Sequence, residues 1–342
     1  MLQNLITDVP GLRVGHASDA TIYSGVTVLM ADAPMVAAVD VRGGGTGTRE
    51  LDALGPMGTV EEAHAVVLSG GSAFGLSAAS GAQAWLAEQG IGFAVRSARV
   101  PIVPQAILFD LLNGGDKAWG RMSPYEQLGY EATARARDGE FALGSQGAGF
   151  GATTANLRGG LGSASAMVQK KYVVGALVAV NAVGSATMAE TGHFWAHPFE
   201  RDNEFGGLGP PPVGTYDPAM PPLAIKGGPG ESTTLAVVAT NAKLTKPQAH
   251  RLAIMAQTGL AKALHPVHTP LDGDVVFAVS TGEVALTDPM LDLTYLGATA
   301  SEVLARAIAR GVYHSAQSPE NWQGPLAYNG RFGNQVGLGS GE

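Results

Sequence analysis

Three continuous apolar runs constrain the fold of this chain more than any other feature. They cover residues 172–181, 235–239 and 275–280, and the second follows directly on a segment rich in glycine and proline. A strand with one face in water alternates apolar and polar residues, whereas a strand buried on both faces reads as an unbroken apolar run. The runs therefore predict an α/β fold in which helices cover buried strands.

The size and composition of the chain exclude several classes of protein. Its 342 residues are 45% hydrophobic and 15% charged, which suits one large α/β domain or two smaller ones. The net charge of −8 argues against a nucleic-acid or anionic-membrane partner. The absence of cysteine excludes disulfides, thiolate metal ligands and a cysteine nucleophile. Because the first eight residues also lack the basic and apolar regions of a secretory signal, we expect a cytoplasmic protein.

Several other segments carry local patterns. Residues 25–30 and 36–41 are short β-rich runs, and the Ala-Asp-Ala-Pro segment between them predicts a hairpin. The glycine loop at residues 42–50 lacks the Lys-Ser/Thr pair of a phosphate-binding loop, so we expect it to let two backbone segments approach closely. Residues 201–230 lack periodicity and predict a long surface loop, and the polar tail from Ser315 predicts a mobile end.

Three hydroxyl side chains, Ser232, Thr233 and Thr234, stand where the glycine- and proline-rich segment becomes the apolar strand. A hydroxyl at this position can attack the peptide bond that precedes it. If Thr233 attacks the Ser232 carbonyl carbon, an N→O acyl shift gives an ester that water can cleave. Thr233 would then carry a nucleophile and, in its freed α-amine, a general base with a pKa of about 7.7–8. The residue types alone fit an ordinary strand start equally well, because threonine favours strands.

Asn181, Asp272 and Asp274 are the other candidate site residues. Asn181 ends an apolar run, where it can terminate the strand or present its amide to an oxyanion. Asp272-Gly273-Asp274 precedes another strand and fits a turn, because the remaining ligands of a calcium loop are absent. Paired acids can also orient an amine or a hydroxyl, and their mutual repulsion would raise the pKa of one of them.

The segment from Thr233 to Leu244, Thr-Thr-Leu-Ala-Val-Val-Ala-Thr-Asn-Ala-Lys-Leu, resembles the start of the small subunit in one family of self-cleaving hydrolases. This family contains the L-aminopeptidase/D-esterases, the β-aminopeptidases and the endo-type 6-aminohexanoate-oligomer (nylon-oligomer) hydrolases. The resemblance runs from Asp8 to about residue 310. It implies a four-layer αββα sandwich of the N-terminal-nucleophile type, cleaved between Ser232 and Thr233.

The resemblance also implies a role for each site residue. Thr233 is the nucleophile, Asp272 and Asp274 hold its hydroxyl and its ammonium, and Asn181 donates to the oxyanion. Three positions depart from the nylon-oligomer hydrolase pattern: Ser232 replaces an asparagine, Asn156 replaces a lysine and Phe109 replaces a tyrosine. Arg158 is the cation nearest to the missing lysine in the sequence.

These observations predict a self-cleaving amide hydrolase with a large chain, 1–232, and a small chain, 233–342, in a single catalytic domain. We expect no cofactor and no metal, and small peptides, β-amino amides or 6-aminohexanoate oligomers as substrates. The resemblance implies a homo-oligomer of cleaved heterodimers. Two alternatives stay open: an N-acyltransferase of similar fold that uses the same threonine, and a non-catalytic protein whose glycine-rich loops bind an anion.

Overall fold

The computed structural model describes residues 2–188, 190–215, 224–227 and 231–336. Within these ranges the helices are α1 Ala78–Glu88, α2 Tyr125–Ala134, α3 Lys246–Ala256, α4 Thr258–Ala263, α5 Pro289–Tyr313 and α6 Tyr328–Val336. The strands are β1 Leu12–Asp19, β2 Ser24–Val41, β3 Gly47–Arg49, β4 Glu62–Ser69, β5 Phe93–Val95, β6 Ala98–Val100, β7 Gln105–Ile107, β8 Gly160–Val168, β9 Tyr172–Asn181, β10 Thr233–Ala242 and β11 Val275–Val284.

The hairpin expected between residues 25 and 41 is wrong, because this segment is the single strand β2. Its first part pairs with β1 and β4, and its last part pairs with β11. The register with β4 shifts between Met30 and Met35, and the intervening Pro34 is exposed. Proline is tolerated at such an irregularity because no ladder hydrogen bond is required of its nitrogen. The strand therefore continues through the proline and joins two halves of one sheet.

The three apolar runs form β9, β10 and β11, and each is buried on both faces as their sequences predict. Neighbouring side chains on one strand face opposite ways: Val237 packs in a core between the two halves of the sheet, and Val238 packs against α3, α4 and α5. On the other side, Val28 and Val67 pack against α1 and α2. Helices thus cover two facing layers of strands, and the expected four-layer αββα sandwich is confirmed.

The strand order brings three chain segments to one edge of the sheet. β10 is antiparallel to β9 and parallel to β11. The beginning of β10 at Thr233 therefore lies beside the end of β9 at Asn181 and the loop that leads into β11. This arrangement explains why residues about 40 to 50 positions apart in the sequence meet.

The mobile tail expected from Ser315 is wrong for the part of the tail that the structure describes. Tyr328 and Phe332 are buried on one face of α6, where Tyr328 stacks on Phe194 at 5.0 Å between ring centroids. These two aromatics recur at the spacing of one helical turn, which explains why a polar segment still forms a docked helix. In the described ranges, no helix is long and apolar enough to cross a membrane.

Candidate active site

Thr233 is the first residue of β10, and its side chain is buried. Its hydroxyl Oγ1 donates a hydrogen bond to the Ser232 carbonyl oxygen at 2.6 Å. The Gly273 N–H donates to the same carbonyl oxygen at 2.8 Å. The peptide bond between Ser232 and Thr233 therefore has a hydroxyl beside its carbonyl group and a backbone donor on its oxygen. A donor in this position can stabilise negative charge that develops on that oxygen.

Gly273 allows the loop to approach Thr233 this closely. A Cβ atom on Gly273 would lie 2.5 Å from Thr233 Oγ1 and 2.8 Å from the Gly45 carbonyl oxygen. The glycine loop at residues 42–50 lies on the other side, where the Gly45 N–H donates to the Asp272 carbonyl oxygen at 2.8 Å. A Cβ on Gly43 would lie 2.3 Å from the Asp274 nitrogen. The expected close approach of two backbone segments is confirmed, and it supports the Asp272–Asp274 loop.

Asp274 is fully buried directly beside the start of β10. Its Oδ1 accepts a hydrogen bond from the Thr234 N–H at 2.8 Å. Its Oδ2 accepts from the His268 N–H at 3.1 Å and lies 2.9 Å from His268 Nδ1. In the intact chain this carboxylate therefore holds the backbone that follows Thr233.

Asp272 is also buried, and Ser232 pairs with it in a short parallel bridge. Its Oδ1 accepts from the Val183 N–H at 3.1 Å, and its Oδ2 accepts from the N–H and the hydroxyl of Thr269, both at 3.0 Å. Burial raises the pKa of Asp272, and the negative charge of Asp274 raises it further. Repulsion between the two acids is the cause expected from the sequence, but the loss of hydration on burial is the larger one.

Asn181 lies directly opposite Thr233 in the register between β9 and β10. Its Nδ2 donates to the carbonyl oxygens of Phe109 at 3.0 Å and Glu231 at 3.2 Å. Its Oδ1 accepts from the Thr153 N–H at 3.0 Å. The amide is therefore fixed with its donor end directed at the main chain one residue before Ser232. The four residues expected at the site meet at one edge of the sheet.

Lys226 also lies in this site, and the sequence analysis missed it. Its Nζ donates to Asn181 Oδ1 at 2.8 Å and to the Thr153 carbonyl oxygen at 2.9 Å. Burial lowers its pKa to about 7, against the opposing charges of Asp272, Glu231 and Asp110. The long surface loop expected at 201–230 is thus wrong at residues 224–227, which return to the site. One feature of the sequence could have drawn attention to Lys226: it is the sole lysine between Lys171 and Lys243.

Two of the three departures from the nylon-oligomer hydrolase pattern, Asn156 and Phe109, have structural explanations. Asn156 accepts from the Ser185 hydroxyl at 2.8 Å and donates to the Thr187 hydroxyl at 3.0 Å, so it belongs to a buried polar network. Arg158 binds the carbonyl oxygens of Ala316 and Gln317, which anchors the C-terminal segment. Arg158 therefore does not supply the missing cation. Phe109 contributes its carbonyl oxygen to Asn181 in place of a side-chain hydroxyl.

A cavity of about 290 Å³ adjoins these residues. Its lining includes Phe109, Asp110, Asn113, Lys226 and Glu231, and residues 323–325 of the C-terminal segment. Asp110 accepts from the Ser24 hydroxyl and from the Gly71 N–H, both at 2.7 Å, and burial raises its pKa to about 6. The volume is near the lower end of the range for small-molecule pockets.

The chain is similar to known peptidases and amide hydrolases. Peptidase family S58 matches residues 4–323. A Mycobacterium tuberculosis protein named as an uncharacterized aminopeptidase is 41% identical over 332 residues, which cover 91% of this chain and 94% of the relative. A 6-aminohexanoate-oligomer endohydrolase of Kocuria sp. is 29% identical over 324 residues, which cover 90% of this chain and 85% of the relative.

The fold has a counterpart among solved structures. The L-aminopeptidase D-Ala-esterase/amidase of Ochrobactrum anthropi, described as a variant of the Ntn-hydrolase fold, matches with a TM-score of 0.64 at 18% identity. The match covers 97% of this chain and 93% of that protein. At this identity the likeness shows the fold alone, whereas the family match and the mycobacterial relative show the family. The chain therefore belongs to peptidase family S58 and is an amide or peptide hydrolase.

Proposed function

We propose that this hydrolase cleaves itself between Ser232 and Thr233 and then uses Thr233 as an N-terminal nucleophile. The observation that carries the proposal is the pair of hydrogen bonds on the Ser232 carbonyl oxygen, from Thr233 Oγ1 at 2.6 Å and from the Gly273 N–H at 2.8 Å. The hydroxyl is the attacking group of an acyl shift at this bond, the N–H can stabilise the oxyanion that forms, and the family resemblance supports the same position. The products are a large chain, 1–232, and a small chain, 233–342, which stay associated in one catalytic domain.

Maturation starts when Thr233 Oγ1 attacks the Ser232 carbonyl carbon. The Gly273 N–H stabilises the negative charge on the carbonyl oxygen in the tetrahedral intermediate. The C–N bond then breaks, the hydroxyl proton passes to the departing nitrogen, and an ester joins Ser232 to Thr233 Oγ1. Water hydrolyses the ester, which leaves a carboxylate on Ser232 and a free amine on Thr233.

Turnover uses the same hydroxyl on a substrate amide. The Thr233 amine accepts the Oγ1 proton as the hydroxyl attacks, and it returns a proton to the leaving amine. Water then hydrolyses the acyl-enzyme and frees Thr233. Asn181 Nδ2 donates to the substrate oxyanion once the Glu231 carbonyl has moved away, and Asp272 and Asp274 hold the hydroxyl and the ammonium of Thr233.

The proposed substrates are small molecules with an amide bond near a free amine: short peptides, β-amino amides or 6-aminohexanoate oligomers. The cavity of about 290 Å³ supports a small substrate, and it contains the carboxyl group of Asp110. The names of the relatives support the same class, because one is named an uncharacterized aminopeptidase and another a 6-aminohexanoate-oligomer endohydrolase. We further propose a cytoplasmic homo-oligomer of cleaved heterodimers.

Intact mass under denaturing conditions tests the maturation step. We expect two wild-type fragments that meet between Ser232 and Thr233, a single chain for Thr233→Ala, and slower but complete cleavage for Thr233→Ser, which keeps a hydroxyl. A single wild-type chain, or cleavage of Thr233→Ala at the same bond, would contradict the proposal. Incubating the cleaved enzyme with an amide substrate, with and without an added amine, then separates hydrolysis from acyl transfer.

A further inference from the structure

The Lys226 ammonium is the one charged group that contacts Asn181 among the described hydrogen bonds. Besides Asn181 Oδ1 and the Thr153 carbonyl, Nζ lies 3.1 Å from Thr153 Oγ1 and 3.2 Å from the Asn181 carbonyl oxygen. All four partners are oxygen atoms on two neighbouring segments. A protonated lysine has three N–H donors and no acceptor, so this cage of acceptors matches an ammonium group.

The contact with Oδ1 also determines which end of the Asn181 amide faces the scissile bond. An amide can rotate by half a turn and exchange its oxygen for its nitrogen at little cost in shape. Lys226 Nζ and the Thr153 N–H are both donors, so only the oxygen of the amide can form a hydrogen bond with them. The Nδ2 donor is then directed at the carbonyl oxygens of Phe109 and Glu231.

We propose that Lys226 is a positioning residue, whose ammonium group keeps the Asn181 amide nitrogen directed at the substrate carbonyl. The inference rests on the proposed function, since Asn181 acts on the substrate of Thr233. On this proposal Lys226, in the segment that precedes the cleavage point, supplies a cation that position 156 lacks. A buried cation is costly unless it is compensated, and the negative charges of Asp272, Glu231 and Asp110 act in favour of the protonated form.

The position of Lys226 in the chain links maturation to turnover. It lies on the large chain, six residues before the new carboxyl terminus at Ser232. Because the backbone N–H of Lys226 donates to the Val183 carbonyl oxygen at 2.9 Å, the segment has an anchor other than the bond that is cut. We therefore expect Lys226 to stay on Asn181 after cleavage.

The test compares Lys226→Met, Lys226→Arg and the control Lys246→Met. Lys246 is also buried, and its Nζ binds three carbonyl oxygens, of Ala53, Gly58 and Val60, in another part of the molecule. For chains that have cleaved, assayed at about pH 6 where Lys226 is mostly protonated, we expect Lys226→Met to lower kcat by about 100-fold with KM changed less than about threefold, as for loss of an oxyanion donor. The kcat of Lys226→Arg should be at least about tenfold higher than that of Lys226→Met, because arginine restores the positive charge and its donors. Lys246→Met should keep wild-type kcat.

Two results would overturn the inference: kcat of Lys226→Met within about threefold of wild type, or equal losses in the methionine and arginine variants. If Lys226→Met does not fold, Lys226→Gln takes its place, because it keeps a donor but lacks the charge; it should show the same loss in kcat. These outcomes are distinct from failure of the proposed function, which would show as an uncut or inactive wild-type protein.

Discussion

Thr233 and Asn181 lie directly opposite each other on the antiparallel strands β10 and β9. This register places the hydroxyl and the amide at the same edge of the sheet, next to the loop that carries Asp272 and Asp274. A slip of one residue would turn the side chain of Thr233 to the other face of the sheet, because neighbouring side chains on a strand point in opposite directions. The cores above and below β10 prevent such a slip, so the packing of the strands also fixes the geometry of the candidate site.

Gly273→Ala should slow self-cleavage. The added Cβ would lie 2.5 Å from Thr233 Oγ1 and 2.8 Å from the Gly45 carbonyl oxygen, so the loop must move away. A displacement of about 1 Å at a reacting group costs about 100-fold in rate, and we expect a loss of this size. The time course of the intact mass measures it. Gly333→Ala, where a Cβ meets nothing within 4 Å, is the matched control and should cleave at the wild-type rate.

Asn181→Asp should lower kcat by about 100- to 1000-fold in chains that have cleaved. The substitution keeps the shape of the side chain but removes the Nδ2 donor proposed for the oxyanion. Steady-state kinetics on an amide substrate measure the effect, and KM should change much less. Asn241→Asp is the control: Asn241 Oδ1 accepts from the Val173 N–H near the opposite end of β9, so this variant should keep wild-type kcat. An Asn181→Asp enzyme with wild-type kcat would exclude the amide from the reaction.

Asp274→Asn should reduce both stability and turnover. The asparagine oxygen can still accept from the Thr234 N–H, but its NH₂ group then faces the backbone N–H of His268, which loses its acceptor. A buried donor left without a partner costs about 1–3 kcal/mol of unfolding free energy. Denaturant titration measures the stability, and kinetics measure the turnover. Asp292→Asn changes another carboxyl group, which accepts from the Tyr172 hydroxyl at the far end of β9, and it should leave kcat unaltered.

The stability of the chain should depend on pH through Lys226. Its pKa is lowered from 10.5 to about 7 by burial, so between these values the unfolded chain holds a proton that the folded chain has released. Raising the pH in this window therefore favours the folded state. From pH 7 to pH 9, we expect Thr233→Ala protein to gain about 1–2 kcal/mol of unfolding free energy relative to the double variant Thr233→Ala, Lys226→Met.

Urea titrations at the two pH values measure this difference, and the Thr233→Ala background keeps the chain in one piece. Equal pH dependence in the two proteins would show that Lys226 has an ordinary pKa. It would leave the proposed role of Thr233 untouched.

The strands of the core could be predicted from the sequence because burial on both faces leaves a local signature. Residues 172–181, 235–239 and 275–280 are apolar without alternation, and every residue of these three runs is buried. Residues 31–34 misled the same reasoning, since they resemble a turn. Whether a proline ends a strand or lies at an irregular exposed position depends on its neighbour in the sheet, and that neighbour is β4, far along the chain.

The site was predictable in part. The family resemblance identified Thr233, Asn181, Asp272 and Asp274, and the fold brings them together, while their catalytic roles stay predictions. Lys226 could not be found in this way, because it stands in a segment without periodicity and contacts a residue 45 positions earlier. The role of the Gly273 N–H could not be predicted from the sequence either. Every residue except proline has a backbone N–H, and only the direction of the Gly273 N–H in the fold distinguishes it from the others.

The sequence by itself determined the class of the fold, the buried strands, the family and the position of the threonine at the start of β10. These features depend on the order of apolar residues and on a local motif, and both are carried by neighbours in the chain. Only the tertiary structure decided that β2 joins the two layers, that the Gly273 N–H meets the Ser232 carbonyl oxygen and that Lys226 holds Asn181. These contacts depend on strand order and on the path of a loop through space, and residue types at short separations do not encode them.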